Sequence, residues 1–219
     1  MSTAIIPKKL KVYKGIIHDE NGKLCSGVTF TALVDNPATG MMWQTFSEQK
    51  QEFKIINKEE RLVGGVMMKA GLPIYRRDKF GEYYIVFDAE SIQKIAHKFM
   101  EDQNSKNVNM MHDPKKKVPY AFAVETFTIN KKRGIKAPEG YGNVSEGDWF
   151  GLFKINDNKV WEQIKSGEFR GFSVEGEFFQ REISEQSEND LKRLDENLKR
   201  EKFTEIKQRL ENLKKNISK

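Results

Sequence analysis

Apolar and polar positions alternate along Leu10–Ile17, Val28–Leu33, Arg61–Met68, Tyr83–Phe87, Val108–His112, Tyr120–Ile129, Trp149–Ile155 and Gly171–Phe179, with turn residues between several of these stretches. A period of two puts successive side chains on opposite faces, so each stretch predicts a strand and the whole predicts a β-rich core. Helical spacing replaces it twice. Asp88 is placed to cap a helix carrying Ile92, Ile95, Ala96, Phe99 and Met100 on one face, with His97 off that stripe. A second helix begins near Asn158, presents Val160, Trp161 and Ile164, and stops at Gly167 through a left-handed terminal glycine.

Near Arg181 the pattern changes again. Glycine, proline and tryptophan vanish, while Leu191, Leu194, Leu198, Phe203, Ile206, Leu210, Leu213 and Ile217 recur mostly at three- and four-residue steps. That spacing predicts an amphipathic, coiled-coil-like helix with one skip between Leu198 and Phe203. A lone charged helix is marginal in water, so its stripe is expected to dock on a partner or on a second copy of the chain. The expected organisation is a domain over residues 1–180 and a helical tail over 181–219, in the α+β class.

Composition narrows the function classes. With 37% hydrophobic and 32% charged residues, and no apolar run near the roughly 20 residues that a spanning helix needs, no membrane role is expected. No apolar segment of signal-peptide type follows Met1, so synthesis inside the cell is expected. The single Cys25 excludes an intramolecular disulfide and a multi-cysteine metal centre, and no cofactor is expected. The net charge of +6 raises the question of nucleic acid, but the tail from Arg181 holds 11 basic and 9 acidic side chains, so the excess is spread thinly. The short runs Lys115–Lys117 and Lys131–Arg133 sit beside turn residues and read as solvated loops. Nucleic acid is therefore not an expected partner, and Tyr83, Tyr84 and Phe87 read as the two faces of a strand.

Serine chemistry needs a hydroxyl, a base that takes its proton near neutral pH, and a group that fixes the base's tautomer. Of the three histidines, His18 adjoins the Asn21-Gly22 hairpin signal and His97 lies on the polar side of a helix. His112 ends a strand in which it shares a face with Val108 and Met110, and Asp113-Pro114 is expected to terminate that strand. An inward histidine at a strand end suits a cleft, and equally a structural bond to backbone. Ser173 shares a strand face with Glu175 and Glu177, opposite Phe172 and Val174, which is also the pattern of an ordinary solvated face. Glu125 falls among Ala121, Ala123, Phe127 and Ile129, and its carboxylate would need a partner there. A hairpin between Val108–His112 and Tyr120–Ile129 would bring it beside the imidazole.

The order of Asn107–Pro114, Val124-Glu125, Trp161–Gly167 and Gly171–Gly176, with the early segment Leu33–Ala38, resembles the phage prohead proteases of the XkdF-like serine protease group. The resemblance spans roughly residues 10–180. It implies a β-barrel core similar to herpesvirus maturation proteases, with a few peripheral helices. It also implies cleavage of scaffold and major capsid precursor proteins inside an assembling procapsid, in the host cytoplasm. His112 and Ser173 match the family's histidine and serine positions. Fold-related viral proteases can use a second histidine after the serine, and none follows Ser173 here. Glu125 is the expected third member, ahead of Glu175, which lies about 7 Å along the same strand from Ser173, and of Asp148; a dyad is the remaining option. The competing expectation is a protease fold without activity that serves capsid assembly as a structural component.

Overall fold

The computed structural model describes residues 10–17, 19–20, 23–24, 26–35, 52–78, 81–141 and 144–182. His18, Cys25, Asn36-Pro37-Ala38 and the expected tail helix beyond Glu182 lie outside the described residues. In chain order the strands are β1 (Lys11–Ile16), β2 (Asp19–Glu20), β3 (Lys23–Leu24), β4 (Gly27–Val34), β5 (Lys54–Asn57), β6 (Leu62–Met68), β7 (Ile74–Asp78) and β8 (Gly81–Val86). Helix α1 (Ala89–Glu101) follows, then β9 (Val108–Met110), β10 (Asp113–Lys117), β11 (Ala121–Thr128) and β12 (Trp149–Ile155). Helix α2 (Asn158–Lys165), β13 (Gly171–Glu177) and β14 (Phe179–Glu182) complete the described chain. Arg181 and Glu182 pair with Lys14 and Tyr13, so regular structure runs to Glu182.

The fold is α+β and β-rich, with two α-helices among the described residues. Its strands form three open four-stranded sheets, ordered β14-β1-β8-β7, β10-β9-β4-β13 and β11-β12-β6-β5, plus the β2-β3 hairpin. The expected barrel is thus corrected, among the described residues, to separate sheets with no closure. The main core gathers Leu33, Val63, Ile92, Ile95, Phe99, Val108, Trp149, Phe153, Trp161 and Phe172. Each such side chain contributes about 1.5–3 kcal/mol by leaving water.

Both helices end as their sequences predict. The Asp88 carboxylate accepts from the Ser91 N–H at 2.8 Å and is ion-paired with Lys14. Burial pushes the Asp88 carboxyl up, and the bonds from Lys14 and Ser91 more than reverse this, leaving it below its ordinary value. Asp157 caps α2 through the Val160 N–H at 2.9 Å. At the far end of α2, Gly167 adopts φ 78°. Its N–H bonds Ile164 O while that of Glu168 bonds Gln163 O, the paired closure of a Schellman motif. Met100 departs from its expected stripe and is 47% exposed.

The sheet β10-β9-β4-β13 carries the candidate residues. β4 and β9 run parallel while β13 is antiparallel to β4, and the registers Ala32↔Asn109 and Ala32↔Ser173 put Asn109, Ala32 and Ser173 in one cross-strand row. The next row, Leu33 with Met110 and Phe172, faces the opposite side. There Phe172 packs on Phe153 and Phe53, with ring centroids 4.6 and 5.2 Å away. At the outer edge, β10 carries Pro114 and the exposed Lys115, Lys116 and Lys117. These lysines were expected in a loop, and Pro114 was expected to end the strand. An edge position reconciles both, because the missing proline N–H there costs no ladder bond.

Candidate active site

Strand β9 ends at Met110, two residues before the expected end. Met110 pairs with Asp113, and Met111 and His112 turn the chain between them. Both sit in the left-handed region, with φ of 53° and 59°, as a two-residue type I′ hairpin turn demands. Neither is a glycine or asparagine, so each holds backbone strain of about 1–3 kcal/mol. The expectation that His112 points inward with Val108 and Met110 is therefore corrected. Its side chain is 44% exposed and is carried on a turn, not on a strand face.

From that turn the imidazole reaches the far strand of the same sheet. His112 Nδ1 lies 3.1 Å from Glu175 Oε1. The same carboxylate oxygen accepts a 2.7 Å bond from Asn109 Nδ2. Glu175 is on β13, two residues from Ser173 and on its face, so the hydroxyl, the carboxylate and the amide of Asn109 all share one side of the sheet. Ser173 is 5% exposed, and its hydroxyl makes no hydrogen bond to a described residue. With Nδ1 beside the Glu175 carboxylate, Nε2 is the nitrogen that would take a proton.

The other expected acids stand elsewhere. Glu125 is exposed on β11, in the sheet β11-β12-β6-β5, and takes no part in the His112 contact. A bulge between Ala123 and Glu125 inserts Val124 and re-phases the alternation, so the carboxylate turns out to water, not into the apolar face that strict alternation predicts. Asp148 is 1% exposed and fastens loops: its Oδ1 accepts from the Ala70 N–H and its Oδ2 from that of Ser145, each at 2.8 Å. His97 is exposed on α1. Asn109 went unnoticed in the sequence, although its register beside Ala32 is what aligns it with Ser173.

A groove of about 450 Å³ opens beside Glu175, lined also by Ser26, Gly27, Thr29, Lys98, Asp102, Gly176 and Glu177. Gly176 lets β4 approach closely, since a Cβ there would meet Gly27 O at 2.1 Å. Across the groove Lys98 is paired with Asp102 at 2.7 Å.

Residues 52–182 match the family described as "Putative phage serine protease XkdF". The chain belongs to that family. All of β9, β10 and β13, and hence His112, Ser173 and Glu175, fall inside the matched region. The family members it resembles include the "Phage-like element PBSX protein XkdF" of Bacillus subtilis (strain 168), 26% identical over 149 residues, which cover 67% of this chain and 46% of that protein. The "Uncharacterized protein YqbD" of the same strain is 26% identical over 157 residues, covering 68% and 44%. The chain thus spans less than half the length of these curated relatives. No solved structure matches it.

Proposed function

We propose that this XkdF-family chain is a serine endopeptidase that cleaves scaffold and capsid-precursor polypeptides during assembly of a tailed-phage procapsid, in a core related to the herpesvirus maturation proteases. Ser173 is the nucleophile, His112 the general base and Glu175 the group that orients it. The observation that carries this reading is the 3.1 Å contact between His112 Nδ1 and Glu175 Oε1 on the sheet face that also bears Ser173.

That proximity supports the orienting role a triad needs. An Nδ1–H donated to a carboxylate leaves the Nε2 lone pair for the serine proton, and the carboxylate stabilises the imidazolium that forms. Ser173 Oγ attacks the peptide carbonyl as its proton passes to Nε2. The tetrahedral adduct then expels the amine, which takes that proton and leaves an ester on Ser173. Water, deprotonated by the same nitrogen, hydrolyses the ester and restores the hydroxyl. The groove beside Glu175 is where substrate chain would lie, and the tail beyond Glu182 is the segment that would dock the enzyme inside the shell or join two copies.

The test is co-expression of the chain with the scaffold and capsid precursors of its own phage, with cleavage mapped by mass spectrometry. Wild type is expected to cut both, and Ser173→Ala neither. The same fragments from both proteins would remove the assignment. Intact precursors with wild type, together with incorporation of the chain into procapsids, would favour the structural role instead.

A further inference from the structure

We propose that Asn109 is a positioning residue of this site: its amide holds the Glu175 carboxylate on His112 and so sets the tautomer of the imidazole. The proposal rests on the reading of Ser173, His112 and Glu175 given above, and adds a fourth member.

Asn109 is 0% exposed on β9, between β4 and β10. A buried amide is costly to carry unless both its ends are bonded. Here only one end is. Nδ2 donates to Glu175 Oε1 at 2.7 Å, while Oδ1 is buried with no partner among the described residues. An apolar side chain of the same shape would spare the sheet that orphan acceptor. Folding therefore gives no reason for an asparagine at this position, and the bond to Glu175 does.

The oxygen chosen is the informative part. Asn109 binds the same Oε1 that lies 3.1 Å from His112 Nδ1, so the amide holds the very atom that the imidazole faces. Glu175 has three rotatable side-chain bonds and lies between two environments, His112 on one side and the groove with Lys98 on the other. Without the amide, the carboxylate is free to swing toward the Lys98 ammonium or into water. His112 then loses its Nδ1 acceptor. Neutral imidazole in water prefers its proton on Nε2, and that tautomer has no lone pair where Ser173 needs one. The charged groups that face Glu175 are His112 from the turn, Lys98 and Asp102 from α1, and Glu177 on its own strand. Lys117 on β10 pairs with Asn109. None of them reproduces a neutral donor fixed in the sheet.

The test compares Asn109→Leu and the smaller Asn109→Ala with wild type, using Thr31→Val as control because its hydroxyl, without a partner among the described residues, lies on the opposite face of the adjacent row. Imidazole ¹⁵N shifts of neutral His112 report the tautomer, and the rate of Ser173 labelling by a fluorophosphonate probe reports nucleophilicity. Wild type and Thr31→Val are expected to hold the proton on Nδ1. Both Asn109 variants are expected to move it toward Nε2 and to label more slowly, by about tenfold to a hundredfold, as when a partner that orients a metal-bound histidine is removed. Folded Asn109 variants with an unchanged tautomer would overturn the proposal. A tautomer change in a chain whose wild type never reacts with the probe would leave Asn109 as the positioning group and remove the protease reading instead.

Discussion

The two faces of the strands β9, β4 and β13 obey opposite rules. One side sends Leu33, Val108 and Phe172 into the main core, each at 1% exposure or less. The other carries Asn109, Ser173 and Glu175, with a strained turn above them. The apolar face gains free energy with every contact, and the polar face spends part of that gain to hold groups in a fixed relation. A reactive arrangement needs a backing of this kind, because side chains held within a fraction of an ångström require strands that do not shift.

Substitutions on the two faces should therefore separate reactivity from stability. The largest expected effect is on the polar face: Ser173→Ala or His112→Ala should lower the rate of precursor cleavage by about 10⁴-fold or more with the thermal midpoint nearly unchanged. Calorimetry beside a cleavage assay checks both halves. Glu175→Gln is expected to cost about 10³- to 10⁴-fold, since the imidazole loses its orienting charge, whereas Glu125→Gln leaves turnover at the wild-type level. Equal losses from the two glutamate variants would erase the distinction between them. On the apolar face, Phe172→Ala should destabilise the domain by about 3–5 kcal/mol in denaturant titration, with turnover per folded molecule retained.

The smallest expected effect lies off this sheet and serves as reference. Asp88→Ala removes the α1 cap and should cost about 1 kcal/mol at neutral pH. The Asp88 carboxyl is held below its ordinary value, so its contribution is complete above the unfolded value of about 3.9 and fades as the pH drops through the lower folded value. Wild type and variant should thus converge in stability below that point. A constant difference across the acidic range would show that the cap acts without its charge.

Much of the scaffold was legible in the chain because local signals and packing agree there. Asp88 and Gly167 mark helix ends by chemistry that needs no tertiary context, and the long strands announce themselves by alternation. The short strands β5, β7 and β14 went unread, since four or five residues carry too little periodicity. Within the candidate site, Ser173 and His112 stand out through the family pattern, and the approach of Glu175 to His112 was not legible, for two physical reasons. Strict alternation assigned Glu125 inward, and a one-residue bulge reversed it. Glu175 was discounted for its distance along one strand from Ser173, although its partner is the histidine reaching over from beyond β9. The turn at Met111-His112 was hidden as well, because neither residue is one that ordinarily adopts a left-handed backbone.

The outer edge of this sheet has a consequence for life at high concentration. An unpaired strand is a template onto which another chain can add hydrogen bonds, and fibrous aggregation often begins there. β10 offers such a template a proline and three adjacent exposed lysines, whose missing donor and mutual repulsion make stacking of identical copies unfavourable. The hairpin that delivers His112 is thereby insulated from its neighbours in a crowded solution. Replacing Pro114 and the lysines with β-branched residues would turn a soluble edge into an adhesive one.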